Sequence, residues 1–250
     1  MQKVDSLEQV TAVILAGGLG TRLRAVVSDR PKVLAGIGGK PFLAYLLDHL
    51  SASGLRSVVL CTGFLGEQIY QIFGDRYRDL QLSYSRESSP LGTAGALRLA
   101  LPLVKSESVL IMNGDSFCDA NLNNFWEWHV KQKAAASMLL VEMPDTRRYG
   151  RVVVNADGRV LRFDEKDDQG APGWINAGIY LVKQAMLRKI AENRAVSLER
   201  EMFPAWMEQG LYGYSSEARF LDIGTPESYG SAMDFFEMVR RDGCRPFCGN

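Results

Sequence analysis

The sequence has no excess of charge of either sign. Its 250 residues include 29 Lys+Arg and 29 Asp+Glu, which gives a formal net charge of +0. Nucleic-acid-binding proteins usually concentrate basic residues on one face, so this balance argues against that class. With 46% hydrophobic and 23% charged residues, the composition is that of a globular protein and excludes a largely disordered chain.

Long apolar runs are also missing. No stretch reaches the roughly 18 apolar residues that a membrane-spanning helix needs. Residues 1–9 carry Lys3, Asp5 and Glu8 and lack the apolar core of a signal peptide. We therefore expect a soluble cytoplasmic protein with no membrane partner.

Cysteine is scarce, with four in the whole chain. Cys61 and Cys118 stand alone and far apart, which argues against a disulfide framework. Cys244 and Cys248 are close together but have no neighbouring histidine, so they make a poor zinc site. We expect free thiols.

Short apolar runs rich in β-branched residues recur through the first half of the chain, separated by segments with helical spacing. Residues 10–16 form the first run, which is typical of a strand buried on both faces of a parallel sheet. The alternation predicts an α/β fold with a doubly wound, Rossmann-like mixed sheet that is mostly parallel and has right-handed crossovers. The predicted strands are 10–16, 57–62, 80–85 and 108–112, and the predicted helices are 42–50, 65–73 and 93–101.

The second half has a different pattern. The loop at residues 155–158 contains an Asp-Gly step, a strong signal for a hairpin between two strands. Thr225 followed by Pro226 is typical of the start of a helix. The predicted elements are strands 151–154, 159–163 and 174–182 and one C-terminal helix, 227–241.

A glycine-rich turn, residues 17–23, follows the first predicted strand directly. Such a turn lets backbone N–H groups approach phosphate oxygens at the carboxyl edge of the sheet. It is not the dinucleotide fingerprint, because Leu23 stands where a third glycine is needed, and no Walker Gly-Lys-Ser/Thr follows. The glycines alone are equally compatible with a tight turn that binds nothing. Arg22 and Lys32 favour a triphosphate, since two cations suit its charge.

Two aspartates follow short apolar strands. Asp115 comes after the strand that ends near residue 112, and Asp222 follows residues 220–221. A carboxylate at the carboxyl end of a central strand points into the ligand crevice, where it is able to hold a hard cation such as Mg²⁺ together with phosphate oxygens. A helix-capping or turn role is an equal alternative for either residue alone. Together with the glycine-rich turn, they favour metal-assisted phosphoryl chemistry.

Further short motifs follow in order along the chain. They are Lys32, residues 91–97, Gly114-Asp115, Tyr149-Gly150, Glu165-Lys166, Asn176-Ala177-Gly178 and Asp222-Ile223-Gly224. With residues 17–23, they resemble the motifs of the sugar-1-phosphate nucleotidyltransferases, and the resemblance extends over roughly residues 11–231. One departure is Val33-Leu34, where relatives often have Pro-Met; it puts the local loop shape in doubt.

The resemblance implies the nucleotidyltransferase, GT-A-like version of this α/β fold, with a small β-hairpin subdomain that binds the sugar. We expect a single domain over residues 1–250 without a β-helix extension. Its nucleotide-binding part is expected at about 8–140, its sugar-phosphate-binding part at about 141–225 and its C-terminal helix at about 226–241. The implied reaction joins an NTP to a sugar 1-phosphate and releases pyrophosphate; a homodimer is left open.

Residue roles are carried over from the matching motifs. Catalysis is assigned to Arg22, Lys32, Asp115 and Lys166, and the Mg²⁺ ligands are Asp115 and Asp222. Nucleotide binding is assigned to Leu15, Ala16, Gly17, Gly18, Gly20, Thr21, Glu87, Pro90, Gly92 and Thr93. Sugar-phosphate binding is assigned to Asn113, Gly114, Tyr149, Gly150, Glu165, Lys166 and Asn176. Without the resemblance, Glu165-Lys166 would be interpreted as a solvated surface pair.

No histidine is needed for this reaction. A sugar phosphate is already largely dianionic at neutral pH, so attack on the α-phosphorus requires alignment and charge neutralisation rather than a general base. His49 and His129, the two histidines of the chain, fall in amphipathic helices, where we expect packing or surface roles.

Glu87 is the residue that points to a particular base. An ionised carboxylate accepts hydrogen bonds only, which suits the adjacent N1–H and N2–H₂ donors of guanine, whereas a glutamine would suit uracil or thymine better. GTP is therefore favoured, although Glu87 is also explained as an exposed loop acid. Residues 17–29 resemble most the D-glycero-D-manno-heptose 1-phosphate guanylyltransferases, which implies a product for surface polysaccharide synthesis.

Other functions remain open at this point. Within the family, mannose-1-phosphate guanylyltransferase and glucose-1-phosphate thymidylyl- or uridylyltransferase are alternatives. A nucleotide-sugar-dependent glycosyltransferase would share the fold and a metal, but residues 115–117 lack its Asp-x-Asp pair. A catalytically silent nucleotide-binding regulator is disfavoured, because such a protein is expected to have lost an acid or a loop cation.

Overall fold

The computed structural model describes residues 6–18, 23, 29–63, 65–165 and 170–241, with only the backbone of Glu165. These residues contain fourteen strands and eight α-helices. The strands are β1 (Thr11–Leu15), β2 (Gly36–Ile37), β3 (Lys40–Pro41), β4 (Ser57–Thr62), β5 (Arg76–Tyr77), β6 (Leu80–Arg86), β7 (Ser108–Asn113), β8 (Ser116–Cys118), β9 (Ala136–Met143), β10 (Gly150–Val154), β11 (Val160–Glu165), β12 (Gly173–Lys183), β13 (Leu211–Ser216) and β14 (Phe220–Asp222). The helices are α1 (Phe42–Ala52), α2 (Gly66–Phe73), α3 (Gly92–Ala100), α4 (Leu122–Gln132), α5 (Gln184–Leu187), α6 (Phe203–Glu208), α7 (Pro226–Gly230) and α8 (Ala232–Arg241).

Four parallel strands in the order β7-β1-β4-β6 form the centre of the main sheet. The side chains of β1, β4 and β7 are mostly buried on both faces, as expected from continuous apolar runs, whereas β6 has exposed residues. Because parallel strands end at the same edge, the segments that follow β1, β4, β6 and β7 all emerge on one side of the sheet. The functional site lies at this edge.

The long strand β12 joins this centre to the rest of the sheet. Its residues 179–183 pair antiparallel with β7, and residues 174–175 pair with β10, while β9 runs along its other edge. A bulge interrupts β12 between Asn176 and Tyr180. Gly178 has a φ of +74° there, and its N–H donates to Asn176 Oδ1 at 2.9 Å. The Asn-Ala-Gly motif is therefore the bulge at which β12 changes partner.

Helices cover both faces of the sheet, which confirms the doubly wound arrangement. Alternate residues of β1 and β4 belong to two separate apolar clusters, one on each face. One cluster contains the buried faces of α1, α2, α4 and α8, and the other contains those of α3, α5 and α6. Burying each Leu, Ile, Val or Phe of these clusters contributes roughly 1.5–3 kcal/mol before entropy is counted.

The C-terminal segment differs from the prediction of one helix over 227–241. It forms two helices, α7 and α8, that meet at Ser231. Gly230 and Ser231 have low helix propensity, and Ser231 Oγ bonds the carbonyl of Ser228 instead of solvent. None of the residues of α7 is buried, whereas α8 buries Phe235 and Phe236. The predicted helix start is confirmed, because Thr225 and Ser228 form a capping box.

The remaining predicted strands and helices are present, with ends shifted by one or two residues. The 155–158 loop closes the predicted hairpin: Asn155 Oδ1 accepts from the N–H groups of Asp157 and Arg159, and Gly158 has a φ of +81°. Within the part of the chain that the structure describes, no helix combines the length and apolar character needed to cross a membrane.

Candidate active site

A cavity of about 970 Å³ opens at the carboxyl edge of the parallel strands. This size and place are typical of a ligand site in a doubly wound fold. All of the predicted nucleotide-binding residues that the structure describes contribute to its wall. The lining includes Leu15, Ala16, Gly17, Gly18, Lys32, Glu87, Pro90, Gly92, Thr93, Asn113, Gly114 and Asp115.

Gly17 and Gly18, which follow β1, differ in what a side chain at each position would contact. A Cβ on Gly17 would lie 3.0 Å from Glu87 Oε1 and 3.2 Å from the backbone N of Gly63, so its absence allows a close approach of three segments. A Cβ on Gly18 would meet no atom within 4 Å. Gly18 therefore leaves open space at the cavity wall. The predicted residues Gly20, Thr21 and Arg22 lie outside the described residues.

Gly114 sets the position of the backbone that leads into Asp115. Its N–H donates to the carbonyl of Leu15 at 3.0 Å, and a Cβ on it would stand 2.5 Å from the same carbonyl oxygen. Any side chain would push the ends of β7 and β1 apart. The glycine thus holds Asp115 beside the turn that follows β1.

Lys32 and Asp115 form an ion pair inside the cavity. Lys32 begins a short 3₁₀ turn, Lys32–Leu34, and its Nζ donates to Asp115 Oδ2 at 2.9 Å. The Lys32 side chain is 11% exposed, whereas that of Asp115 is 49% exposed. The ammonium is therefore held in the wall while the carboxylate faces the open cavity.

Asp222 lies next to the cavity rather than in its described wall, on a different pair of strands. β14 pairs antiparallel with β8, with Asp222 opposite Ser116, and the N–H of Ile223 donates to the carbonyl of Asp115 at 2.9 Å. A Cβ on Gly224 would stand 2.6 Å from Asp222 Oδ1 and 3.6 Å from Lys32 Nζ. The two predicted metal ligands are thus neighbours, with Lys32 close to both.

Two side chains of the predicted sugar-phosphate-binding part, about residues 141–225, contact Asp222 within the same part. We call this part the sugar half, and the predicted nucleotide-binding part, about residues 8–140, the nucleotide half. The hydroxyl of Tyr149 donates to Asp222 Oδ2 at 2.8 Å, and Arg148 Nη2 donates to the same oxygen at 3.1 Å. Asp222 Oδ1 accepts from the N–H of Gly224 at 2.8 Å. Burial raises the pKa of the Tyr149 hydroxyl, and the nearby Asp222 charge raises that pKa further. Tyr149 therefore acts as a neutral donor to the carboxylate.

The donors present fit a hard divalent cation. Carboxylate oxygens of Asp115 and Asp222 are the ligand type that Mg²⁺ takes, usually one or two from the protein with the rest from phosphates and water. In the described ranges, no group of three or more His, Cys, Asp or Glu residues is arranged as a metal site. Such a set is not required of a cation that a nucleotide helps to bind.

Glu87 lines the cavity and also bonds the protein backbone through one carboxylate oxygen. Its Oε2 accepts from the N–H of Leu91 at 3.0 Å, which fixes the turn before α3. Its Oε1 lies at the close approach of Gly17 and Gly63, where a Cβ on Gly63 would come within 2.8 Å of it. The carboxylate is thus pinned by one oxygen and has the other beside the glycine-rich turn.

The turn at Gly92 is held by a segment far along the chain. Gly92 has a φ of +69°, and a Cβ there would stand 2.5 Å from the carbonyl oxygen of Val196. Thr93 Oγ1 donates to Glu199 Oε2 at 3.0 Å and accepts from the N–H of Leu198 at 2.8 Å. These contacts bring residues 196–199 to the cavity.

Glu199 is a cavity residue that the sequence reasoning missed. It lies on a single π-helical turn, Leu198–Met202, and lines the cavity beside Thr93. Ser197 Oγ donates to Glu199 Oε2 at 2.8 Å and also caps this turn by accepting from the N–H of Arg200. Ser197 followed by acidic residues was a readable N-cap signal, but nothing local indicates that the turn meets α3.

The predicted sugar-phosphate residues fall into two groups. Asn113 and Gly114 line the cavity, and Asn113 Oδ1 is buried with no hydrogen-bond partner among the described residues. Tyr149, Gly150 and Asn176 are absent from the described part of the cavity wall.

Gly150 and Asn176 are engaged inside the protein. A Cβ on Gly150 would stand 2.7 Å from the ring of Phe163, so this glycine makes room for the hairpin. Asn176 Nδ2 donates to the Tyr180 hydroxyl at 2.8 Å, and its Oδ1 forms the β12 bulge. Lys166 and the side chain of Glu165 lie outside the described residues.

Among the described residues, Cys61 lines the cavity, whereas Cys118 and the two histidines do not. His49 and His129 are buried in α1 and α4, as predicted for packing residues. Cys61 and Cys118 are free thiols. Burial raises the pKa of both thiols to about 12, so neither is a nucleophile at neutral pH.

A family model described as "Nucleotidyl transferase" matches residues 11–238. The chain belongs to the nucleotidyl transferase family. It is 39% identical over 223 residues to D-glycero-alpha-D-manno-heptose 1-phosphate guanylyltransferase of Aneurinibacillus thermoaerophilus, with 89% of this chain and 96% of that protein covered. It is 36% identical over 225 residues to mannose-1-phosphate guanylyltransferase of Mycobacterium tuberculosis, covering 88% of this chain and 63% of that protein.

Solved structures share the fold of this chain. The crystal structure of HddC from Yersinia pseudotuberculosis complexed with GMP-PN superposes with a TM-score of 0.80 at 31% identity, covering 91% of this chain and 99% of that one. A putative glucose-1-phosphate thymidylyltransferase from Bacillus anthracis has a TM-score of 0.81 at 20% identity, which shows the shared fold alone. The predicted fold class and family are confirmed.

Proposed function

We propose that this nucleotidyl transferase joins GTP to a sugar 1-phosphate, D-glycero-α-D-manno-heptose 1-phosphate being the favoured one, to give GDP-sugar and pyrophosphate. The observation that carries the proposal is the cavity at the carboxyl edge, where Gly17, Lys32, Glu87 and Asp115 meet. The guanylyltransferase relatives that match almost end to end support the choice of GTP.

The chemistry is an in-line transfer. A phosphate oxygen of the sugar 1-phosphate attacks the α-phosphorus of GTP, the bond from that phosphorus to the α,β-bridging oxygen breaks, and pyrophosphate leaves with the electron pair. Both substrates are anionic, so positioning and charge neutralisation supply the catalysis. Lys32, buried in the wall and fixed by Asp115, is a preorganised cation for this purpose. We propose that Arg22 and Lys166 add further positive charge.

Asp115 and Asp222 would hold the divalent cation, which we propose to be Mg²⁺. When bound by these two aspartates, such a cation would supply positive charge for the phosphates. Asp115 has its carboxylate half exposed towards the cavity, so it is available to this role without rearrangement of the backbone. Asp222 is more enclosed and holds two donors from the sugar half.

For base choice, we propose that Glu87 Oε1 accepts from guanine. The hydrogen bond from the Leu91 N–H fixes the carboxylate plane, and a fixed acceptor discriminates better than a mobile one. Glu87 also lines the cavity, so its carboxylate lies beside the space that a base would occupy.

For the sugar, the support is indirect. Asn113 Oδ1 is a buried acceptor without a described partner, and Glu199 presents a carboxylate in the same cavity. Both suit sugar hydroxyls, which donate to such groups. We propose that these two residues act with Tyr149, Gly150, Glu165 and Asn176 in binding the sugar. A cytoplasmic location, a homodimer and a role in surface polysaccharide synthesis stay predictions.

The direct experiment is pyrophosphate release by the purified full chain. GTP, ATP, UTP and dTTP are each paired with heptose 1-phosphate, mannose 1-phosphate and glucose 1-phosphate in the presence of Mg²⁺. We expect GTP with heptose 1-phosphate to give the highest kcat/KM. Release with none of the pairs would overturn the proposal and favour a silent nucleotide-binding regulator.

Mannose 1-phosphate is the second candidate substrate, because the Mycobacterium tuberculosis relative is named for it. This chain spans only 63% of that relative. The same panel separates the two sugars: a higher kcat/KM with mannose 1-phosphate would replace the heptose assignment and leave the guanylyl transfer in place.

A further inference from the structure

We propose that Arg148 is a positioning residue that occupies the cation-binding side of Asp222 in the free protein and must release this carboxylate before a divalent cation binds there. The inference rests on the proposed function, since it deepens the metal site. It predicts that the protein without nucleotide holds divalent cations weakly because its own guanidinium competes for Asp222.

The contacts of Arg148 converge on one place. Its Nη2 atom lies 3.1 Å from Asp222 Oδ2 and 3.4 Å from Asp222 Oδ1. The same atom lies 3.3 Å from Thr225 Oγ1 and 3.4 Å from Ser228 Oγ. One nitrogen thus spans the carboxylate and the capping box of α7.

The geometry suits an exchangeable contact. Asp222 is enclosed, with its side chain 18% exposed, whereas the Arg148 side chain is 47% exposed. Leaving Asp222 would return the guanidinium to water, so its own desolvation does not hold it in place. An enclosed carboxylate, in contrast, is costly to leave without a positive partner. Arg148 therefore neutralises the Asp222 carboxylate until another cation replaces it.

Replacement of Arg148 by a metal cation at Asp222 would also affect the backbone of residues 148–150. Tyr149 follows Arg148 directly and donates to the same Oδ2 atom of Asp222. Residue 150 then begins β10 of the hairpin. A cation that takes Oδ2 must displace or share the bonds of both side chains, so metal binding and the position of residues 148–150 are linked.

Neighbouring residues supply a matched control. Arg147 is next to Arg148 and pairs with Asp145 on the exposed loop, where its Nε lies 2.9 Å from Asp145 Oδ2. No contact between Arg147 and Asp222 is present in the described residues. Arg147→Gln removes the same charge as Arg148→Gln, one residue away.

The test uses Mn²⁺ as an EPR-visible probe of the full chain without nucleotide, with melting temperature measured in parallel. We expect Arg148→Gln to tighten Mn²⁺ binding by roughly tenfold, since it removes one competing cation from Asp222. Arg148→Lys should tighten it less, and Arg147→Gln should leave it unchanged. Equal Mn²⁺ affinity in wild type and Arg148→Gln would overturn the proposal, as would an equal gain in Arg147→Gln.

Two further measurements separate this inference from the proposed function. Asp222→Asn should abolish the gain when combined with Arg148→Gln; a gain that persists would mean that Arg148 acts elsewhere. If Arg148→Gln tightens Mn²⁺ binding but the wild type releases no pyrophosphate with any substrate pair, the exchange at Asp222 stands and the proposed reaction fails. If pyrophosphate is released normally and Mn²⁺ affinity does not change, the reaction stands and the exchange fails.

Discussion

The nucleotide half and the sugar half differ in whether their polar side chains line the cavity or bond to one another. In the nucleotide half, Glu87 and Asp115 line an open cavity, where Glu87 accepts from the N–H of Leu91 and Asp115 accepts from Lys32. In the sugar half, Tyr149 is bonded to Asp222, and Asn176 to Tyr180. The first arrangement is preorganised for a ligand, whereas the second must exchange protein bonds for ligand bonds.

This difference has an energetic meaning. A preorganised site loses little free energy to reorganisation on binding, so it gains affinity directly. A site whose groups satisfy one another gains only the difference between two sets of hydrogen bonds. We expect nucleotide to bind well alone and the sugar phosphate to bind well only after nucleotide and cation have altered the contacts at Asp222.

The largest effect is expected from Asp115→Asn, in the preorganised half. Removing one charge that holds the cation should lower kcat by about 10²–10⁴-fold. The melting temperature should change little, since the carboxylate is half exposed. Pyrophosphate release under saturating substrates gives kcat. Asp145→Asn, at an exposed loop acid paired with Arg147, is the control; near-normal turnover of Asp115→Asn would remove Asp115 from the metal site.

Acid pH tests the core of the nucleotide half through its two buried histidines. His49, in α1, packs edge-on against Phe117, and His129, in α4, bonds Ser137 Oγ at 2.8 Å. Burial lowers the pKa of each to about 4; nearby Asp119 opposes the shift at His49, whereas Lys183 adds to it at His129. Both residues are therefore neutral in the folded protein at pH 5.

The sign of the pH effect follows from these values. An unfolded histidine has a pKa near 6.5, so between about pH 6.5 and 4 the unfolded chain binds more protons and stability falls as pH falls. Each histidine contributes on the order of 3 kcal/mol to this loss. Thermal melts at pH 7 and pH 5 should show a smaller loss in His49→Phe and in His129→Gln than in wild type. An unchanged loss in both variants would contradict the burial account.

Gly92→Ala tests the contact that links the halves. Alanine at φ +69° is strained by about 1–2 kcal/mol, and its Cβ would meet the Val196 carbonyl. Gly39 is a matched control, because its φ is +77° and a Cβ there would meet nothing within 4 Å. Chemical denaturation should show Gly92→Ala to be the less stable by about 2 kcal/mol. Equal losses of stability in Gly92→Ala and Gly39→Ala would mean that residues 194–199 move away from the added Cβ at no cost in free energy.

The smallest effect is expected from Glu87→Gln. Glutamine keeps an oxygen for the Leu91 N–H and places an amide donor where Oε1 lay, so the preference for GTP over UTP should fall by about 10–30-fold. Ratios of kcat/KM for the two nucleotides measure it. Discrimination that stays at the wild-type level would assign base recognition to another residue.

Much of the nucleotide half was predictable because its signals are local. Continuous apolar runs identify β1, β4 and β7, and glycines at 17 and 114 mark the places where backbones approach. Their meeting at one edge follows from the parallel sheet alone. Neither fact depends on contacts between distant segments.

The sugar half was less predictable because its contacts are distant in sequence. Arg148 meets Asp222 across 74 residues, and Thr93 meets Glu199 across 106. Nothing in either segment indicates its partner. The pairing of β9 with β13 is likewise decided by packing against the rest of the chain.

Competition between nucleotides tests the central claim most directly. The full chain is incubated with heptose 1-phosphate, Mg²⁺ and an equimolar mixture of GTP, ATP, UTP and dTTP, and the nucleotide sugars formed are separated and identified by mass. The account predicts GDP-heptose as the dominant product, with stoichiometric pyrophosphate. A dominant UDP- or dTDP-sugar, or no nucleotide sugar at all, would contradict it.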